Sequence, residues 1–451
     1  MARKICMRIA CSFVGNRAVK GLMRSKQLVY LDELRKMQWN SLEENIRQQK
    51  ELLHKVVCYA VSKVPYYRDL GFTEDDFRKE TIFEDIKKFP ILTKDIIRTE
   101  GGRMCSDVDD WKYNTTSGGT TGEPVRFIHT GTFFDYDQAG KLLYDEWCGR
   151  MLGESQIRLW GSERDIISGK RDWKNKIYRW CRNEIFLNTF AMSDEQIEKY
   201  IQKINKVKPK MILAYVQSAR EVAMYAKRHN IKVYSPNAVM TSAGTLDSDT
   251  HHLLSEVFNC PVHNRYGSRE MGDMACSCGE NKELHVNVRS TYIEVVDDKF
   301  CALPDGESGN LIVTSLTEYG MPLIRYQIGD VGALANNSKC KCGRGLPMLK
   351  CINGRIVDVF KTEDGKKVDG EYFTHLFYSE NSIKQFQIVQ DKINHIIVKL
   401  VPYNQVSNEV YERLSRNIRM VMGESVEIEY EITERIQASR SGKLSYTISL
   451  I

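Results

Sequence analysis

Apolar residues recur at helical spacing through the first part of the chain. Leu34, Met37, Trp39, Leu42 and Ile46, then Leu52, Leu53, Val56, Val57, Ala60 and Val61, predict helices across residues 32–100. Val64-Pro65-Tyr66-Tyr67 interrupts that rhythm, because proline disfavours helix at the residue before it. A second break falls at Phe89-Pro90-Ile91-Leu92-Thr93-Lys94-Asp95, where Thr93 can cap a short helix. From about Trp111 short apolar runs at 157–160, 211–214 and 237–241 alternate with helical stretches at 194–207 and 219–230. That alternation predicts a sheet with covering helices. Residues 290–335 turn strand-rich, with strands at 291–296 and 310–315 around the turn Pro304-Asp305-Gly306. After residue 358 the texture changes again: strands at 385–389 and 395–401, an amphipathic helix over 407–422 and a strand at 426–432.

These elements predict a large α/β N-terminal domain of mixed sheets with covering helices, and a small α+β C-terminal domain. The boundaries are 1–358, of which 1–100 is a mainly helical lead-in, and 359–451. A chain of 451 residues supports that division, since single cores stop growing at roughly 250–300 residues.

Charge changes the picture at one end only. Arg3, Lys4, Arg8, Arg17, Lys20, Arg24 and Lys26 precede the first acid, Asp32, and leave about −1 of the net +6 for the rest. A near-neutral body argues against nucleic acid as a partner. Within residues 1–30, Ile5, Met7, Ile9, Phe13, Val14 and Leu22 interleave with the cations. This segment reads either as a helix in peripheral contact with a membrane surface or as one packed on its own domain. Its apolar runs are too short to span a bilayer, and it has no continuous signal-peptide core. Thirteen cysteines without a secretory signal predict a reducing, cytoplasmic setting, at most peripheral at the inner membrane face.

The richest chemistry lies in Asn114-Thr115-Thr116-Ser117-Gly118-Gly119-Thr120-Thr121-Gly122-Glu123-Pro124. Three glycines and five hydroxyl residues fill the eight positions from Thr115 to Gly122. Glycines let backbone N–H groups close on an anion, and hydroxyls add donors. No Gly-Lys-Ser/Thr ending follows, so this is not a Walker A loop. Five further stations follow. Val239-Met240-Thr241-Ser242-Ala243-Gly244-Thr245-Leu246 is a strand running into a small-residue turn, and Asn264-Arg265-Tyr266-Gly267-Ser268-Arg269-Glu270 carries an acid after a glycine. Pro322-Leu323-Ile324-Arg325-Tyr326-Gln327-Ile328-Gly329-Asp330 and Gly354-Arg355-Ile356-Val357-Asp358 come next, and Ser441-Gly442-Lys443-Leu444 closes the series.

In this order the segments resemble the motifs of the adenylate-forming (ANL) superfamily from about residue 40 to the end. The resemblance implies that the chain binds ATP and Mg²⁺ and activates a small-molecule carboxylic acid as an acyl-AMP. It assigns phosphate contacts to Thr116, Ser117, Gly118, Gly119, Thr120, Thr121 and Gly122. Ser242, Ala243, Gly244, Arg265, Tyr266, Gly267 and Ser268 would hold the adenine end, with Tyr266 stacked on the base. Glu270 would hold Mg²⁺, Asp330 the ribose, and Arg325 and Arg355 the nucleotide. Asp358 would be the hinge of a mobile C-terminal domain. Lys443, with Glu270 and Thr116, would be catalytic, neutralising charge as the carboxylate attacks the α-phosphate. The family's usual Thr is Ile328 here, which leaves Asp330 in place. Trp160, Tyr215 and Gln217 stand where the family lines its acyl pocket, although a core role suits Trp160 or Tyr215 equally.

Val64-Pro65-Tyr66-Tyr67, Phe89-Pro90-Ile91-Leu92-Thr93-Lys94 and the loop ending Pro124-Val125-Arg126 are most similar to the phenylacetate–CoA ligase branch and its CapK-like capsular-polysaccharide-biosynthesis homologues. That branch carries a Cys seven residues before a His, and later a Cys-x-Cys-Gly-Arg. Cys278, His285, Cys340 and Cys342 fit that pattern and imply a structural Zn²⁺; Cys276 in place of His285 is the alternative. The resemblance points to transfer of the acyl group to CoA and to a place in surface polysaccharide biosynthesis. Two rivals are an adenylating enzyme that passes the acyl group to a sugar amine or hydroxyl without CoA, and a non-catalytic, membrane-associated scaffold of capsule assembly.

Overall fold

The computed structural model describes residues 25–116, 125–161, 179–180, 182–189, 191–336, 339–353, 359–377, 380, 382–403, 405–434, 436 and 446–451. The basic residues up to Arg24, positions 117–122 of the glycine-rich loop, Arg355, Asp358 and Lys443 lie outside them.

Two helices open the described chain, α1 (Gln27–Met37) and α2 (Leu42–Lys63). Ser41 caps α2 by accepting the Glu44 amide, and the helix stops at Val64 because Pro65 follows. The α2 stripe Leu53, Val56, Val57, Ala60 and Val61 is buried in one cluster with Met274, Leu311, Leu323 and Tyr326 from the sheet region. The lead-in is therefore fused to the main core. The segment after it, which the proline rhythm marked, pins residues 322–327, where β13 begins. Tyr67 Oη donates to the Pro322 carbonyl (2.8 Å), and Leu92 exchanges backbone hydrogen bonds with Arg325 and Gln327, each 2.9 Å.

The hairpin β1 (Lys112–Thr116) and β2 (Arg126–Thr130) frames the glycine-rich loop and leads into α3 (Gly131–Trp147). Next come β3 (Gln156–Trp160), β4 (Glu184–Asn188), β5 (Ala191–Met192), α4 (Asp194–Val207), β6 (Met211–Tyr215), α5 (Val216–Arg228), β7 (Ala238–Ser242) and α6 (Ser248–Phe258). Helix α4 shows why such segments read clearly. A Ser193/Gln196 capping box starts it, and Ile197, Ile201 and Ile204 form its one buried stripe. The strands β8 (Val262–Ser268), β9 (Gly272–Ser277), β10 (Leu284–Val286), β11 (Thr291–Val296), β12 (Gly309–Ser315), β13 (Tyr326–Leu334) and β14 (Met348–Asn353) complete one 11-stranded sheet. Its order is β11-β12-β13-β14-β10-β9-β8-β7-β6-β3-β4. Pairing is parallel from β4 through β8 and antiparallel from β8 through β11.

The C-terminal α+β region contains β15 (Val359–Lys361), β16 (Lys367–Asp369), α7 (Gly370–Leu376), β17 (Ile383–Lys392), β18 (His395–Pro402), α8 (Asn408–Met422), β19 (Glu427–Ile432) and β20 (Thr447–Ser449). Four of its strands form a sheet in the order β19-β18-β17-β20, with Leu414 and Ile418 of α8 buried in its core. The β15–β16 hairpin pairs instead with β5 of the large region. Tyr215 joins the same apolar cluster as Phe360, Phe373 and Leu400. Among the described residues no helix is long and apolar enough to cross a membrane.

Candidate active site

The parallel half of the sheet aims its carboxyl ends at one place. β3 ends at Trp160, β6 at Tyr215, β7 at Ser242 and β8 at Ser268. Ligands of open α/β sheets bind outside such ends. Beyond Ser242, Ala243 has φ +52° and Gly244 has little room, because an added Cβ would stand 3.2 Å from Val216. Both are exposed, so the turn offers bare backbone on which a flat base can lie. Tyr266 Oη donates to Asp330 Oδ2 at 2.9 Å, joining two motifs separated by 64 residues. Gly267 is forced: a Cβ there would lie 2.7 Å from Asp273 Oδ1 and 2.8 Å from the Gly272 carbonyl. Ser268 Oγ accepts the Met271 amide (3.1 Å) and tightens the turn that carries Glu270. Glu270 is only 6% exposed, and its carboxylate has no hydrogen-bond partner among the described residues. Its oxygens are not sealed from solvent, and a carboxylate so placed has the chemistry of a hard-cation ligand. Thr116 ends β1 opposite Arg126, at the start of the glycine-rich loop.

The sequence pattern missed a second layer behind Glu270. His129 on β2 is buried, with Nδ1 3.1 Å from Glu318 Oε2 and Nε2 3.1 Å from the Arg269 carbonyl. The Glu318 carboxylate also accepts the amides of Thr130 (2.9 Å) and Gly320 (2.7 Å). This chain of contacts ties the backbone beside Glu270 to the strand that leaves the glycine-rich loop. A lone histidine gives no motif signal in sequence, and neither does an acid 189 residues away.

Three expected ligands have other work. Arg325 does not face solvent or the strand ends. Its guanidinium is buried against Glu294 (3.2 Å) and donates to the carbonyls of Lys87 (3.1 Å) and Phe89 (2.9 Å). It acts as a clamp between the lead-in and β13, so the nucleotide assignment is corrected for this residue. Its left-handed backbone, φ +52°, fits that inward turn. Arg265 is buried in an ion pair with Asp273 (3.2 Å) and lies under the Trp160 ring. Burial holds the Asp273 carboxyl above its usual range, against the pull of Arg265. Gln217 Nε2 donates to Glu221 of its own helix (2.7 Å). Trp160 and Tyr215 do come together, with ring centroids 4.1 Å apart.

The cysteine pattern converges. The ligand atoms of Cys278, His285, Cys340 and Cys342 all lie within 4.8 Å of one another. Cys278 Sγ is 3.5 Å from Cys340 Sγ, and Cys342 Sγ is 3.3 Å from His285 Nε2. A tetrahedral zinc with Zn–S of about 2.3 Å and Zn–N of about 2.0 Å needs ligand–ligand separations of roughly 3.5–3.8 Å. Three thiols and one imidazole fit it. Burial lowers the His285 imidazole to about 4, which favours the neutral form a metal ligand needs. Cys276, the alternative ligand, is excluded by its packing: it is buried among Tyr144, Cys148, Met211 and Leu213 and stands outside the convergent set. The site joins the loop after β9, which follows the turn carrying Glu270, to the loop after β13, the strand that carries Asp330. Behind it, Arg344 lies between the rings of Trp39 and Trp147, 5.0 and 4.4 Å away.

Comparison with known proteins agrees with this architecture. Residues 360–450 match the family model described as the CapK C-terminal domain. Protein CapK of Staphylococcus aureus is 26% identical over 449 residues, covering 96% of each chain. The phenylacetate-coenzyme A ligase of Thermus thermophilus is 24% identical over 326 residues, covering 69% of this chain and 70% of its own. Among solved structures, 2-hydroxyisobutyryl-CoA ligase superposes with a TM-score of 0.58 at 18% identity. It covers 92% of this chain and 91% of its own.

Proposed function

We propose, for a chain homologous to CapK and the phenylacetate–coenzyme A ligases and folded as an adenylate-forming ligase, that it activates a carboxylic acid as acyl-AMP and passes the acyl group to CoA. The observation that carries this reading is the Tyr266–Asp330 contact beside Glu270, at the carboxyl ends of β7 and β8. Stacking and ribose-binding groups there stand next to a cation-binding carboxylate.

In this mechanism the turn at Ser242, Ala243 and Gly244 receives adenine, with Tyr266 on its face and Asp330 accepting the ribose hydroxyls. Thr116 and residues 117–122 hold the phosphates. Glu270 would hold Mg²⁺, which would supply charge neutralisation for the triphosphate. A carboxylate oxygen of the acid attacks the α-phosphorus, and the P–O bond to pyrophosphate breaks. Lys443 stabilises the oxygens as negative charge gathers on them. His129 and Glu318 fix the backbone beside Glu270. The region after Asp358 then moves, and the CoA thiol displaces AMP from the acyl carbon. Cys278, His285, Cys340 and Cys342 would hold a zinc, and its role would be structural, since four protein ligands leave no open position for substrate. The relatives' names support CoA as acceptor, and a place in surface polysaccharide assembly draws only on the CapK likeness.

The test is chromatographic detection of AMP, pyrophosphate, acyl-AMP and acyl-CoA after incubation with ATP, Mg²⁺ and a panel of acids. Acid-dependent acyl-AMP, converted to thioester by CoA, is the expected result. Acyl-AMP that CoA does not consume would move the acceptor to an amine or hydroxyl. ATP turnover independent of any acid would overturn the reading.

A further inference from the structure

The turn that carries Glu270 is gripped at both flanks by one stretch of chain. Ser268 stands opposite Gly272 at the end of the β8–β9 hairpin, so Arg269, Glu270 and Met271 form the tip. Met271 is buried and anchors the tip in the main core. On one flank the Arg269 carbonyl lies 3.1 Å from His129 Nε2 of β2. On the other, the Asp273 amide donates to Asp137 Oδ1 of α3, the helix that β2 runs into, at 3.1 Å. Gly272 is fitted to this contact. Its φ is +69°, and an added Cβ would stand 2.8 Å from the same Asp137 oxygen. Asp137 Oδ2 accepts from Lys141 Nζ (2.5 Å) and from Gln138 Nε2 (3.2 Å). Both carboxylate oxygens are therefore engaged, and the side chain is only 11% exposed.

We infer that Asp137 is a positioning residue for the cation ligand, fixing where Glu270 points through the backbone of its turn. The inference rests on the reading of Glu270 as the Mg²⁺ ligand. The Glu270 carboxylate has no hydrogen-bond partner among the described residues, so no side-chain bond orients it. Its direction comes from the backbone beneath it, which is held at Arg269, at Met271 and at Asp273. Asp137 supplies the last of these holds. It is not itself placed to ligate, because one oxygen takes the Asp273 amide and the other faces the Lys141 ammonium. Groups that orient a metal ligand from behind tune the affinity of the site for its ion. The same stretch, β2 into α3, leaves the glycine-rich loop directly. One piece of chain thus sets both the end of the phosphate loop and the cation ligand, which keeps the two in register.

The experiment is calorimetric ATP binding to the full chain with and without Mn²⁺, which stands in for Mg²⁺. The readout is the gain in ATP affinity that the metal brings. It is measured in the native protein, Asp137→Ala, Asp137→Asn and Glu270→Gln, with folding checked by thermal melt. Asp137→Ala should cut the gain roughly 10-fold, the low end for a group behind a metal ligand, and leave metal-free ATP affinity unchanged. Asp137→Asn keeps an amide oxygen to accept the Asp273 N–H and should restore most of the gain. Gly272→Ala, whose methyl would displace the Asp137 oxygen, is a second variant expected to cut the gain, and it carries the test if Asp137→Ala does not fold. A gain lost in Glu270→Gln but kept in the folded Asp137→Ala or Gly272→Ala would overturn the inference. Equal loss in Asp137→Ala and Asp137→Asn would overturn it too, since the hold on the amide would then not be the cause. A native protein with no gain, or a Glu270→Gln variant that keeps it in full, would overturn the reading of Glu270 itself.

Discussion

Removing one thiol of the proposed zinc site tests how the large region is held together. Cys278 and Cys340 are 62 residues apart, with their sulfurs 3.5 Å from each other. A metal that joins them closes that loop as a covalent cross-link would. By the chain-entropy relation such a closure lowers the entropy of the unfolded chain by the equivalent of about 4 kcal/mol. Melting temperature moves by roughly 2–4 °C per kcal/mol in domains of 150–250 residues, and by less in larger ones. Cys340→Ser should therefore lower the melt by roughly 5–10 °C. The purified native protein should carry zinc by elemental analysis, and the variant should not. A chelator should reproduce the shift in the native protein and do nothing further to the variant. Trp147, whose ring centroid lies 5.8 Å from that of His285, should report zinc loss as a change in fluorescence. If the four residues were ordinary core cysteines and a histidine, the substitution would cost only a small packing term and the chelator would have no effect. A zinc-free native protein with an unchanged melt would refute the reasoning.

Arg325→Leu leaves Glu294 buried without its cation. It should destabilise by about 3–5 kcal/mol by thermal denaturation, while ATP affinity of the folded fraction stays close to native. A selective loss of ATP binding would restore Arg325 to the nucleotide site. Tyr266→Phe deletes the 2.9 Å bond to Asp330, a loss of about 0.5–1.5 kcal/mol; steady-state kinetics should show KM for ATP up roughly 2- to 12-fold with kcat little changed. His129→Ala should raise the Mg²⁺ concentration needed for half-maximal activity, with His129→Gln recovering part of the loss; an unchanged Mg²⁺ titration would remove the positioning role. Glu184 is buried, which alone would raise its pKa, but Arg158, Arg182 and Arg150 outweigh burial and hold it at about 2. The folded value lies below the unfolded one near 4.3, so its contribution is full above about pH 4.3 and is lost as pH falls toward 2. Glu184→Gln should flatten that part of the acid-denaturation curve.

Local pattern reached the elements whose cause is local. The stripe Ile197, Ile201, Ile204 with its capping box gives the same helix, Asp194–Val207, in sequence and structure. The strand expected at 211–214 ends one residue later, at Tyr215. The helix expected from Ala219 begins at Val216, because β6 runs into α5 with no loop and no cap for sequence to reveal. The change from parallel to antiparallel pairing begins in the local β8–β9 hairpin, where Ser268 stands opposite Gly272, but the β10–β14 pairing that continues it joins segments no short window contains. At the site, motif spacing pointed to Tyr266 and Asp330, which the structure brings into contact, and to the four Cys and His side chains that it brings together. It could not distinguish Arg325, whose partners Glu294, Lys87 and Phe89 are distant in sequence, from a nucleotide ligand. Cys276 misled for a related reason: it sits beside His285 in the sheet register, yet its thiol packs into the apolar cluster under α3.

The central claim is acid activation at this nucleotide site, and ATP–pyrophosphate exchange in the native protein and in Lys443→Ala addresses it most directly. The account predicts Mg²⁺- and acid-dependent exchange in the native protein, with a sharp loss in the variant while calorimetric ATP affinity is largely kept. Exchange that survives unchanged in Lys443→Ala, or that needs no acid, would contradict it.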